Sequence, residues 1–222
     1  MNYIRNEQGN MTIFIIGIMS IMLLMFLLVG SFASVFTSKE KASNIAEQAS
    51  LVASSILKDE IENAINDYEI IVSNPLVLYP SIREIIERRV SQSHSTLTKK
   101  ELRRQVTNDV LREQLPTNGL LSRYIENAVS IAKRKIPAAV ENNIHKNEGI
   151  VPGTVISISE TNRIKVTTHV RYKAMKYDEY FTEEDRKVVQ SGEGPPFDFL
   201  KIMGNRGTIY HEFGESSDLT LR

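Results

Sequence analysis

Cysteine and tryptophan are both absent from this 222-residue chain. Without cysteine there are no disulfides, no thiolate metal sites and no cysteine nucleophile. Without tryptophan, and with aromatics at 7%, few rings are left for a platform that stacks bases or sugars. An excess of one charge is missing as well, because Lys plus Arg and Asp plus Glu number 27 each. The electrostatic footprint of a nucleic-acid binder is therefore lacking, and no nucleic-acid partner is expected. The most telling shortage is local: from Met11 to Phe36 the chain reads MTIFIIGIMSIMLLMFLLVGSFASVF, with no charged residue at all.

A helix of this length, rising ~1.5 Å per residue, satisfies its own backbone hydrogen bonds across a hydrocarbon core of roughly 30 Å. The stretch 11–36 is thus expected to be a single transmembrane helix, with the lipid bilayer as its first partner. No other stretch of the chain reads as a span. A cleavable signal fits less well: Ser31-Phe32-Ala33 followed by Ser34 has a small-x-small pattern, but the apolar run far exceeds the roughly 7 to 15 residues of a signal peptide. A buried core helix is the remaining alternative. Gly17, Ser20, Gly30, Ser31, Ala33 and Ser34 would let a neighbouring membrane helix approach closely. The flanks, Arg5 with Glu7 on one side and Lys39 and Lys41 with Glu40 on the other, lean slightly towards a cytoplasmic C-terminal region.

From Ser38 the composition turns to Ala, Glu, Lys and Ile, with no Gly or Pro until Pro75. Ile45, Ala49, Val52, Ile56 and Leu57, continued by Ile61, Ala64, Ile65 and Tyr68, recur at spacings of three and four. This predicts an amphipathic membrane-proximal helix over 38–73, continuous with the span, with Lys58, Glu60 and Glu62 turned away from its apolar side. Ala42, Ala46, Ala49 and Ala53 keep its first half thin, which suits a helix–helix contact or close packing on a sheet.

The tail NEQGNMTIF, followed after the span by KEKASNIAEQASLVASSIL, resembles the N-terminal module of the TadE/TadG-like proteins of tight-adherence (Flp) pilus systems. In that family a short tail with an acidic-x-Gly signature, matched here by Glu7-Gln8-Gly9, leads into one membrane helix and then an Ala-rich amphipathic helix. The resemblance covers about the first 60 residues. It implies a single-pass anchor in the cell membrane, with the C-terminal domain extracytoplasmic and with other pilus or envelope proteins as partners. On orientation it opposes the charge bias, which rests on one net lysine. Some members of the group are pseudopilins cut after a Gly, and related prepilins carry Glu at the fifth mature position. After Gly9 that position holds Phe14, so Glu7 and Gly9 are read as a signature or processing candidate, and an uncleaved anchor is expected.

Beyond Asn74-Pro75 and Tyr79-Pro80, which break the helix, a helical region is expected over 81–147. Ser81 with Glu84 matches a capping box ahead of Ile82, Ile85, Ile86 and Val90. A second helix runs from about Thr98 to Leu115, where Leu102, Val106, Val110 and Leu111 share a face and Pro116-Thr117-Asn118-Gly119 ends it. A third runs from about Leu120 to Ile144, interrupted or bent at Pro137. This region is locally basic, with the pairs Arg88-Arg89, Lys99-Lys100 and Arg103-Arg104, but acidic residues interleave at helical spacings and predict a solvated face.

The region 154–222 reads as rich in strands. Thr154–Ser159 and Arg163–Tyr172 alternate apolar and polar residues around the turn Glu160-Thr161-Asn162, which is a β-hairpin. Further strands are expected at Lys176–Phe181 and Gly207–Phe213, with a Gly/Pro-rich loop between them. The expected fold class is therefore α+β: a short tail (1–10), a transmembrane helix continuing into a long amphipathic helix, a helical middle and a small C-terminal antiparallel sheet.

No catalytic, cofactor or metal site emerges. His94, His145, His169 and His211 lack the i, i+4 pairing of a helical metal site, and His211-Glu212 lies in an expected strand, where neighbours face opposite ways. Ser191-Gly192-Glu193-Gly194-Pro195-Pro196 and Gly204-Asn205-Arg206-Gly207 lack the context of a phosphate loop and read as turns. The acidic run from Asp178 to Asp185 lacks calcium-loop spacing, and no serine sits in a nucleophile elbow. Two functions fit: a membrane-anchored structural or assembly component, and an extracytoplasmic ligand-sensing or binding module unrelated to pili. A membrane-bound enzyme is not expected.

Overall fold

The computed structural model describes residues 7–74, 76–172 and 186–214. Helix α1 runs Glu7–Val72, α2 Ile82–Gln92, α3 Lys99–Gln114 and α4 Gly119–Lys146. Strands β1 (Ile150–Ile158), β2 (Arg163–Arg171) and β3 (Lys187–Pro196) follow, then a short α5 (Phe199–Met203), a 3-10 turn at Gly204–Arg206 and β4 (His211–Glu212). The fold class is α+β, with an apolar N-terminal helix, a helical middle and a four-stranded sheet ordered β3-β2-β1-β4. Packing divides the chain into two compact units, one of Met1–Lys41 with Val170–Val188, the other of Ala42–His169 with Val189–Arg222.

In the larger unit most of the stripe expected on α1 is buried: Ile45, Ala49, Leu57, Ile61, Ala64, Ile65 and Tyr68 lie in the core, with Val52 and Ile56 half-buried. Two capping motifs set the entries of α2 and α3. Ser81 accepts the Glu84 N–H at 3.1 Å, but the reciprocal carboxylate comes from Glu69 of α1, which accepts the Ser81 hydroxyl and the Arg83 N–H, each at 2.8 Å. Thr98 and Glu101 form a complete capping box, and Thr98 holds the exposed Glu101 carboxyl below its ordinary range.

Asn118, from the expected helix breaker, caps α4 by accepting the Leu121 N–H at 2.9 Å. Its amide also donates to the Tyr68 hydroxyl at 2.7 Å, while that hydroxyl donates to the Pro80 carbonyl at 3.0 Å. Burial raises the Tyr68 phenol above its ordinary value. Pro137 neither ends nor interrupts α4, which continues to Lys146.

The end of α4 shows how adjacent residues divide two demands. The Gly149 N–H returns to the Ile144 carbonyl at 2.9 Å and the Glu148 N–H to that of His145 at 3.1 Å, the pattern of a Schellman stop. The left-handed position falls on Glu148, at φ 56°, rather than on the glycine. Gly149 answers the other demand, since a Cβ there would lie 2.7 Å from the Ile144 side chain and 3.2 Å from Ile45.

β1 and β2 form the expected hairpin, with Ile156 opposite Val166 and Ile158 opposite Ile164 and Asn162 in the turn at φ 55°. One sheet face is buried through Thr154, Ile156, Ile164, Val166 and Thr168. The other carries half-buried or exposed Ser157, Lys165, Thr167 and Ser191.

Two expectations are corrected. Ser191–Pro196 is not a turn but the second half of β3, antiparallel to β2: the Thr167 hydroxyl meets that of Ser191 at 2.8 Å, and the Arg163 guanidinium donates to the Gly194 carbonyl at 2.9 Å. The fourth strand is only His211–Glu212, paired with Ile156 and Val155, rather than Gly207–Phe213. The strand expected at Lys176–Phe181 lies outside the described residues. Gly204–Arg206 is a turn, as expected.

Candidate functional site

In the smaller unit the apolar stretch of α1 is helical and leaves its large side chains uncovered, with Phe26 80% and Met19 68% exposed. It is the one helix among the described residues long and apolar enough to cross a membrane, and none of its apolar window is buried. This argues against the soluble-core alternative, because a core helix would be covered by its own fold. Glu7 opens α1, and Gly9 lies within its backbone rather than in a loop before it.

The small-residue stripe sits in the larger unit. Ala42, Ala46, Ala49 and Ala53 are completely buried there, with Ser50 and Ser54. Part of what covers the stripe is the chain's own sheet: a Cβ at Gly192 would fall onto the backbone of Ala46 and Glu47, and one at Gly194 onto the Ser54 hydroxyl. Small residues on the helix and missing side chains on the strand together allow this approach. The Ser54 hydroxyl, buried beneath Gly194, has no hydrogen-bond partner.

The basic middle helices are tied to each other rather than merely solvated. Arg89 of α2 meets Glu113 of α3 at 2.6 Å, and Arg103 of α3 meets Glu87 of α2 at 2.5 Å. The Arg89 guanidinium holds the Glu113 carboxyl below its ordinary range. Arg206 does the same for Glu126 of α4.

A cleft of about 100 Å³ opens between α1 and α3. Residues 100, 103, 104, 107, 108 and 111 of α3 line one wall, Lys58, Ile61 and Glu62 of α1 the other, and Phe197 and Phe199 close the floor. Sequence reasoning missed this site. Half of its signal was present, since those α3 positions form a single stripe at spacings of three and four, but nothing local brings Lys58 or Phe199 to it.

The described residues contain no group of three His, Asp or Glu placed to hold a metal ion. Comparison with curated proteins and with solved structures gives no match. A family model described as Flp pilus-assembly TadE/G-like does match, from residue 9, so without Glu7, to residue 55, just past the buried alanine stripe. The chain is thus similar to the TadE/G-like family over residues 9–55, about a fifth of its length.

Proposed function

We propose that the protein is a single-pass, membrane-anchored structural component of a Flp-type pilus assembly system, with its bulk outside the cytoplasm, acting through contacts with other pilus or envelope proteins. The observation that carries this is a coincidence in one place: the TadE/G-like match contains the uncovered apolar stretch of α1 and the alanine stripe that follows it. The loop after α1 adds a surface suited to protein contact, because Leu76 is 88% and Leu78 97% exposed. A second reading, a membrane-anchored binding module unrelated to pili, draws on the cleft between α1 and α3.

The test is intact mass and N-terminal sequencing of protein purified from membranes, with external protease digestion of spheroplasts and filament assembly scored in a deletion strain. A full-length, membrane-retained chain digested from outside, with filaments lost on deletion, is the expected result. A mature start at Asn10 would make it a processed pseudopilin. A soluble product starting at Ser34 would remove the anchor, protection from protease would reverse the orientation, and filaments intact without it would favour the second reading.

A further inference from the structure

We propose that the cleft between α1 and α3 binds an acidic peptide segment of a partner protein, seating one apolar side chain on the floor and the flanking carboxylates on the cationic rim. The proposal does not depend on the pilus reading, because every group it uses lies outside the stretch matched by the family model.

Size argues first. A recess of about 100 Å³ is of the size that takes a single aliphatic or aromatic side chain, a dry cavity of about 150 Å³ being enough for benzene. Chemistry argues second: Ile61, Leu111, Phe197 and Phe199 make the lining apolar at depth, while Lys58, Lys100, Arg103 and Arg104 add cationic groups to it.

The lining holds four cations, Lys58, Lys100, Arg103 and Arg104, against one carboxylate, Glu62, and Asp198 beside the floor accepts from the amides of Asn108 and Asn162. Glu62 takes Lys58 at 3.0 Å and Glu87 takes Arg103 at 2.5 Å. Glu101 is turned to Thr98, whose hydroxyl donates to it at 2.6 Å, and it also feels the charge of Arg104. Lys100 and Arg104 form no ion pair among the described residues. They also project from the first turns of α3, where the helix dipole adds positive potential. An apolar pocket lined by more cations than carboxylates is complementary to a hydrophobic residue between carboxylates. A bilayer surface would need a protruding apolar patch, not a recess that holds one side chain.

The probe is a displayed random peptide library panned against the full chain in nanodiscs, followed by anisotropy of labelled winners and sedimentation with phosphatidylglycerol vesicles. The expected pool is enriched in Asp and Glu around one Leu, Ile or Phe. Lys100→Glu with Arg104→Glu should weaken the winners about tenfold or more, since two attractions become repulsions, and added salt should weaken them further. Thr107→Phe, which fills the cleft without changing charge, should also abolish binding. Lys100→Gln with Arg104→Gln replaces the reversal should that variant melt early. An unbiased pool, or winners that bind all variants equally, would overturn the proposal. So would loss of vesicle sedimentation on charge reversal with peptide binding unchanged, which would make the rim a lipid contact.

Discussion

The two parts of α1 are equally helical and solve opposite problems. From Met11 to Phe36 the large side chains are uncovered, and nothing lies within 4 Å of a Cβ built on Gly17. From Ala42 to Tyr68 the apolar stripe is buried, and a strand backbone lies directly on it. Each buried Leu, Ile or Phe is worth roughly 1.5–3 kcal/mol, so a run of them left bare suits the lipid surroundings of the proposed anchor. The second part requires the reverse: small residues, no gaps and a partner from the same chain. On the proposed anchoring, one secondary structure serves two solvents, and side-chain size tells them apart.

The largest expected effect falls on the first part. Leu24→Arg places a charge mid-span, at a cost of about 2.5–3.5 kcal/mol. A double variant with Leu23→Arg should release the chain from carbonate-washed membranes, whereas Leu51→Arg, on the exposed side of the second part, should leave it there. Retention of the double variant would break the distinction.

Next comes a matched pair of glycines. Gly192→Ala puts a methyl on the backbone of Ala46 and Glu47, and overpacking of this kind costs about 1–3 kcal/mol. Gly17→Ala meets nothing. Thermal melts should therefore show a loss of roughly 2–4 °C per kcal/mol for the first and no loss for the second. Equal melting temperatures would mean that the sheet does not lie on the stripe.

Tyr68→Phe tests the second part at its far end. It strands the Asn118 amide and the Pro80 carbonyl together, at about 1–2 kcal/mol, which denaturant titration can read.

The smallest effect is in the exposed pairs. Arg89 depresses the Glu113 carboxyl, so the stability it lends is present above the unfolded value of about 4.3 and is lost as pH falls through the lower folded value. Exposure limits this to under about 1 kcal/mol. Glu113→Gln should flatten that acid limb while leaving stability near neutral pH within the same bound.

Much of this contrast was legible in the sequence. The uncharged run, the period of the second part, the cap at Ser81, the start of α3 near Thr98 and the β1–β2 hairpin all rest on local patterns. β3 was not legible, because Ser191–Pro196 has the composition of a turn. Its glycines answer a contact with Ala46 and Ser54 more than 130 positions earlier in the chain, and no local rule reports that. α5 is a short helix set by burial of Phe199, Leu200 and Met203. The cleft was half visible as a stripe on α3, and its charge was read as solvation because Lys58 joins it only through the fold.

The absence of native cysteine makes the most direct test a clean one. Single cysteines replacing Leu24 and Leu51 can be followed with a water-soluble maleimide in permeabilised membranes, before and after detergent. The account predicts that the cysteine at 51 labels in both conditions and the one at 24 only after detergent. Equal labelling of both in intact bilayers would contradict the claim that the first part of α1 is solvated by lipid.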